Sequence, residues 1–287
     1  GANTSTDVGG IVGRQTGTSN VVDSYNIGTI FGKENIGGVT GYRDGGTFDN
    51  NYNAGYISAT GTNKGALIGN NVSGTVTDSF YNSDIYNTST LGTAKNTAEM
   101  RAAATFTVAG WTFDASNWGI IEGVSYPYHR LIYTSTPQAI SGTASGAGVS
   151  AGQKISIYKN GTTELVTVYT GANGGYYGLF SANTYASGDK ILAYINDVSN
   201  VYGNTILLSD GSAIADLNIV QDTVIARTNS AAINNTVLGQ ARVTGDAGDM
   251  IYSVSGADLT ISAGKDFYTW QDGVGYQVDG SITTSGG

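Results

Sequence analysis

Chemistry at neutral pH calls for a group that can take up and release a proton, and this chain holds one histidine, His129, beside Arg130. A lone imidazole can serve as a base. No Gly-x-Ser-x-Gly turn accompanies it to supply a nucleophile, and His129 is read as a packing or surface residue. One His and no Cys exclude imidazole and thiolate metal sites by count. Oxygen ligands are better supplied, because Asp246, Asp249, Asp272 and Asp279 fall near glycines. They complete neither a twelve-residue calcium loop nor a Gly-Gly-x-Gly-x-Asp array, so they read as turn residues. Asp23, Asp49 and Asp78 recur through the first part of the chain, as the acids of a polysaccharide-cleaving site would, but no base recurs with them. Stacking on sugar faces has candidate rings in Tyr176, Tyr177, Trp270 and Tyr276; against it stands the burial of about half of any alternating set. No catalytic, cofactor-binding or metal residue is assigned, and the chain is read as non-enzymatic.

The totals narrow the partners. The 22 acids outweigh 13 bases, for a net charge of -9, which argues against nucleic acid because phosphate binding needs a cationic surface. No apolar run approaches the roughly 18 residues of a membrane span, and no charged-then-apolar signal opens the chain. The chain begins and ends in mid-pattern and reads as a segment of something longer. Only 12% of residues are charged, against about 25% in typical soluble domains, so Asn, Ser and Thr carry the polar surface. Gly 43 with Pro 2 implies many tight turns.

Those turns must be positioned by a repeat. Val8-Gly9-Gly10-Ile11-Val12-Gly13, Ile36-Gly37-Gly38-Val39-Thr40-Gly41 and Lys64-Gly65-Ala66-Leu67-Ile68-Gly69 are three cores at a step of 28. Each is followed by an aromatic framed by polar residues, at Tyr25, Tyr52 and Phe80, with steps of 27 and 28. One such unit cannot bury its few apolar side chains, whereas stacked copies share a core. A parallel β-solenoid is predicted, its glycines serving tight turns and close approach of windings.

One helix is predicted over Thr97–Ala104, with Thr97 as N-cap and Glu99 near its positive end. An aromatic stretch follows, Trp111-Thr112-Phe113, Trp118-Gly119 and Tyr126-Pro127-Tyr128, read as a plug over the open end of the solenoid rather than a sugar platform. The ordered succession of these cores, Phe80-Tyr81-Asn82, Thr97-Ala98-Glu99-Met100, Gly110-Trp111-Thr112-Phe113 and Trp118-Gly119-Ile120-Ile121-Glu122-Gly123 resembles the GLUG-motif repeats and terminal segment of filamentous-haemagglutinin-type bacterial exoproteins, over roughly residues 5 to 133. In the third core Ala66 replaces the second glycine, which implies slightly different packing there. The resemblance implies a right-handed β-helix displayed on a Gram-negative cell surface, exported by two-partner secretion through an outer-membrane partner, and adhesion to a receptor or glycan of a host or neighbouring cell.

From Pro137 the texture changes. Ala139–Thr143, Lys154–Tyr158, Leu165–Tyr169, Tyr176–Phe180 and Ile191–Ile195 have period-two character, and Asn160-Gly161 marks a hairpin turn. An antiparallel β-sandwich is predicted. Ile140-Ser141-Gly142-Thr143, Asn173-Gly174-Gly175-Tyr176 and Ser187-Gly188-Asp189-Lys190 resemble the carboxypeptidase-regulatory or transthyretin-like sandwich, although Gly171 stands where that family often has Asp. Some relatives of that group form a Lys-Asn isopeptide; Lys154, Lys159 and Glu164 are read as surface charges instead. Near the C-terminus Leu259 to Ile282 and Gly264 to Gly287 repeat at a step of 23, which predicts a return of solenoid winding. The expected division is therefore a β-helix over 1–95, a helical and aromatic junction over 96–135, a protruding sandwich over 136–229, and resumed β-helix-like coils over 230–287. The function expected is that of a non-enzymatic adhesin segment, with a polysaccharide-binding or polysaccharide-cleaving β-helix as the alternative.

Overall fold

The structure is a computed structural model describing residues 4–89, 91–196, 200–271 and 275–285. Strands dominate, with three short α-helices and one 3-10 turn among these residues, so the protein is all-β with more helix than the single segment expected. Two compact units are present: Gly1–Thr136 with Gly171–Gly175, and Pro137–Thr170 with Tyr176–Gly287.

In the first unit the period of the sequence is a strand register. Val8 pairs with Ile36 and Gly9 with Gly37, then Ile36 with Lys64 and Gly37 with Gly65, all in parallel. Thr40 on the strand Thr40–Asp49 lies between Val12 and Ile68. Tyr52 lies between Tyr25 and Phe80, and Ile30 pairs with Ile57. The 27-residue step has a location: register slips between Gly17 and Asn20, where the pairing passes from Gly17–Gly45 to Asn20–Thr47. Each repeat turns through a left-handed residue of a type that tolerates it, at Asp7 and Asn35 (φ 53 and 55) and at Asp23, Asn50 and Asp78 (φ 49, 54 and 39). Ile36, Val39, Phe48, Ile57, Leu67 and Ile68 fill the space within the repeats.

The helix expected over Thr97–Ala104 is two helices, Thr97–Met100 and Ala103–Thr107. Asn96, not Thr97, is the N-cap, closing a capping box with Glu99. The break has a packing cause. Met100 and Phe106 are both buried, yet six positions apart on one helix they would face different ways; the extended Ala102 (φ -115) turns both inward. The aromatic segment that follows is buried, Trp111 and Trp118 each 3% exposed, but it does not plug an end. Tyr25 stacks on Tyr52 at 5.2 Å; Trp118 packs on both, while Trp111 and Phe106 reach Tyr52 and Phe80. The segment thus lies along the flank of three successive repeats. Trp111 Nε1 donates to Asp78 O at 2.9 Å, and the Tyr52 hydroxyl to Pro127 O.

The second unit holds a three-stranded sheet, ordered Gly175–Phe180, Gln138–Ser145, Ile219–Val220, and a six-stranded one, ordered Thr163–Tyr169, Lys154–Lys159, Ser187–Ile195, Asn204–Asp210, Thr223–Thr228, Asp266–Gln271. The sheets are mixed rather than antiparallel: the first four strands of the larger one alternate in direction, and the last three run parallel. The Asn160-Gly161 turn forms as expected, both residues at positive φ. Ile140, Tyr176 and Leu217 meet Ile155, Ile191, Ala193 and Leu207 in one core. The opposite face of the same strands, Leu192, Tyr194, Ile206 and Val224, meets Ile233, Leu238, Met250, Leu259 and Ile261 in a second. That double burial explains the unbroken apolar run Ile191–Ile195.

Residues after 230 share the six-stranded sheet through Asp266–Gln271. The 23-residue step is a parallel pairing, Leu259 with Ile282 and Ile261 with Thr284. Thr223 pairs with Asp266 and Ile233 with Tyr276 at a step of 43. The excess lies between Asn234 and Asp258, in the unanticipated helix Asn235–Ala241, the turn Ala247–Asp249 and the strand Tyr252–Ser255. Asp272 and Gly287 lie outside the described residues.

Candidate ligand-binding groove

The two sheets of the second unit differ in width, and a groove follows from that. The three-stranded sheet ends at Ile219–Val220, while beneath it the larger sheet continues into Thr223–Thr228 and Asp266–Gln271. Along Thr223–Thr228 side chains alternate: Val224 and Ala226 enter the second core, leaving Thr223, Ile225 and Arg227 on the other face. Register sets Ile225 beside Tyr268 and Arg227 beside Trp270. These rings are 56% and 47% exposed because no strand covers them. Together with Thr143, Ser145, Asp216, Asn218 and Val220 they line a groove of about 630 Å³, within the size range of small-ligand sites. Arg227 is anchored by the carbonyls of Ala215 and Asp216, and its guanidinium sits 5.9 Å from the centre of the Trp270 ring. Asn218 Oδ1 accepts from Thr143 N at 2.8 Å and Thr143 Oγ1 at 3.0 Å, which leaves its amide nitrogen oriented by those bonds.

Of the four rings singled out in the sequence, Trp270 alone belongs to this groove. Tyr176 and Tyr177 are buried, the first with its hydroxyl on Leu217 O; Tyr276 packs on Phe267 at 5.2 Å and donates to Asn235 Oδ1. Tyr268 and Arg227 were missed. Their signal in sequence is the alternation Tyr268-x-Trp270, which marks one face of a strand but not whether that face is covered.

The other candidates are engaged elsewhere. The His129 ring stacks on Trp118 at 3.9 Å and its Nε2 lies 2.5 Å from Asp23 O, beside a hollow of about 340 Å³ bordered by Asn50 and Thr112. Asp246 accepts from the Tyr194 hydroxyl, and Asp279 from Thr236 Oγ1 at 2.6 Å. Among the described residues no three His, Cys, Asp or Glu side chains gather as metal ligands. Lys154 Nζ donates to Asn196 Oδ1 at 3.4 Å and Lys159 Nζ to Thr184 O at 2.7 Å, while Glu164 accepts from Tyr158 and Thr167.

Asp23, Asp49 and Asp78 do come together. Burial raises the Asp49 pKa above the ordinary carboxylate value, and the neighbouring charges of Asp78 and, more weakly, Asp23 add to it against a backbone hydrogen bond from Asn50. A raised carboxyl pKa means the folded state resists ionisation of this group, so its penalty is present above the folded pKa and absent below the unfolded one. Asp49→Asn is therefore expected to raise the melting temperature at pH 7 and to have no effect at pH 3. Equal effects at both pH values would exclude this origin.

No family model matches the chain, and no solved structure matches it. Among curated proteins it is similar to a "Putative Gly-rich membrane protein" of Evansella cellulosilytica, 41% identical in an alignment of 131 residues that covers 42% of this chain and 15% of that protein. The chain therefore spans a small part of that relative's length. No helix among the described residues is long and apolar enough to cross a membrane.

Proposed function

We propose that this chain is a non-enzymatic segment of a large bacterial surface exoprotein that acts in adhesion. Its first unit is a stretch of right-handed parallel β-helix serving as a stiff shaft, and its second unit is a binding module. The observation that carries this reading is the parallel pairing of equivalent residues at 27 or 28 positions in four separate sheets. A stack of that kind transmits position and presents surface, and two of its recurring acids, Asp23 and Asp78, are left-handed turn residues. A relative named as a Gly-rich membrane protein fits a cell-envelope setting. Export through an outer-membrane partner, and a receptor or glycan on another cell as the target, belong to the same proposal.

The test is adherence. Beads coated with the purified chain are expected to bind bacterial or epithelial cells above beads coated with an unrelated β-protein of similar charge. Equal binding by both would remove the adhesion reading. Polysaccharide binding is a second reading, favoured by the two exposed rings of the groove; steady release of reducing ends from a polysaccharide panel would instead establish an enzyme.

A further inference from the structure

We propose that the groove over Thr223–Thr228 and Asp266–Gln271 binds a neutral pyranose chain, with Trp270 and Tyr268 as its stacking platform. The surface-protein reading supplies the biological setting of this assignment, but its chemistry stands on the groove itself. Tyr268 and Trp270 occupy alternate positions on one face of one strand, so their rings are set about 6.6 Å apart along it. Two adjoining sugar rings of an extended chain can each lie on one of them. Both side chains remain about half exposed although each is a large apolar group, and Arg227, held by two backbone carbonyls, props the indole in place. A pre-set aromatic surface of this kind binds the C–H face of a pyranose without first paying for side-chain ordering.

Polar groups and charge narrow the occupant. Asn218, fixed through Thr143, stands on the groove wall with Asp216 and Asp266. Carboxylates accept hydrogen bonds from hydroxyl groups, and an amide both donates and accepts. The two acids outnumber Arg227, and the chain carries a net charge of -9, so an anionic polysaccharide is repelled where a neutral one is not. A peptide adding as a further strand would pair with the free edge of Ile219–Val220 or of Asp266–Gln271, each the last strand of its sheet; the exposed rings lie instead on the strand face, where stacking rather than backbone pairing holds an occupant.

Tryptophan emission isolates the site. Trp111 and Trp118 are each 3% exposed and Trp270 is 47% exposed, so acrylamide quenching of the folded protein reports mainly on Trp270. Cellohexaose, xylohexaose and mannohexaose are the neutral probes, and hexagalacturonate the acidic counterpart. At least one neutral probe is expected to protect Trp270 from quenching at about 5 mM or below, an affinity range typical of weak specific contacts. By calorimetry, Trp270→Ala should weaken that probe about tenfold or more, Tyr268→Ala less, and Trp270→Phe should restore part of the loss; unchanged melting of each variant shows the fold intact. Absence of protection by every neutral probe, equal protection by hexagalacturonate, or wild-type affinity in Trp270→Ala would overturn the assignment. Cell adherence that survives Trp270→Ala unchanged, with no oligosaccharide bound, would sink the groove while leaving the adhesion reading in place.

Discussion

Gly38→Ala is expected to destabilise the first unit by about 3–5 kcal/mol, at the upper end of what single substitutions do. The cause is not backbone conformation, since Gly38 is not among the positive-φ glycines. A Cβ at Gly38 would come closer than 3.0 Å to the carbonyl oxygen of Ala66 in the next repeat and to the amide of Asn53. Asn53 is itself buried and fixed, donating to Gly55 O at 2.9 Å and accepting from Asn26 Nδ2 at 2.8 Å, so neither obstacle can swing away. Gly10 meets the same obstacle one repeat earlier, from Gly38 O. The third core breaks the pattern with Ala66, and the reason is now visible. No fourth core follows it in the sequence; the Ala66 N–H donates instead to Thr88 O at 2.9 Å, and its methyl joins the interior. Ala66→Gly is therefore expected to cost only about 1 kcal/mol, from chain entropy and a lost methyl. Urea unfolding in a Trp270→Phe background, read by Trp111 and Trp118, compares the two. A Gly38→Ala variant within 1 kcal/mol of wild type would show that the repeats do not approach as closely as the structure has them.

This contrast also shows why the repeats were legible in sequence. A step of 28 between cores records a pairing of neighbouring strands, so spacing alone reveals which residues sit side by side, Gly9 on Gly37 on Gly65. Left-handed turns leave a comparable trace, because Asp and Asn accumulate where φ is positive. What periodicity cannot carry is the choice between a continuous helix and two short ones. That choice fell to the burial of both Met100 and Phe106, a tertiary demand that overrode the helix propensity of the Ala run. The helix Asn235–Ala241 was missed for the converse reason: its sequence Asn-Thr-Val-Leu-Gly-Gln-Ala has weak propensity and a central Gly239, and it is held by Leu238 and Ala241 in the second core.

The groove was only half legible for a different physical reason. Alternation places Tyr268 and Trp270 on one face, but whether a face is open depends on how far an opposing sheet reaches. Here the smaller sheet stops at Ile219–Val220, in a strand of two residues, and nothing local to Asp266–Gln271 encodes that. Tyr176 illustrates the opposite outcome, since it alternates as plainly and is covered.

Arg43 carries the other large effect. Gln15, Arg43 and Asn71 occupy equivalent positions in successive repeats, paired in register, and Arg43 is fully buried. Burial draws its pKa below the ordinary guanidinium value, and the group stays protonated at neutral pH all the same. Its Nη1 donates to Asn71 Oδ1 at 3.0 Å and Ser73 O at 3.2 Å, and its Nη2 to Gly46 O at 2.6 Å. Arg43 thus ties its own turn to the turn of the following repeat. Gln15 does the same with a shorter reach, donating to Ser19 O at 2.9 Å and Thr47 O at 2.8 Å. Arg43→Ala opens a cavity and strands three acceptors, with an expected cost of about 3–5 kcal/mol. Arg43→Met fills the space but leaves the acceptors unbonded, at about 2–3 kcal/mol; Arg43→Gln, by the precedent of Gln15, should lose least. The ranking Ala, Met, Gln in urea unfolding separates hydrogen bonding from volume, because volume alone would place Met above Gln. Since the guanidinium stays charged throughout, the ranking should also hold from pH 5 to pH 9, roughly the range in which no arginine titrates. A Met variant as stable as wild type would mean that the buried cation contributes only bulk to the joint between repeats.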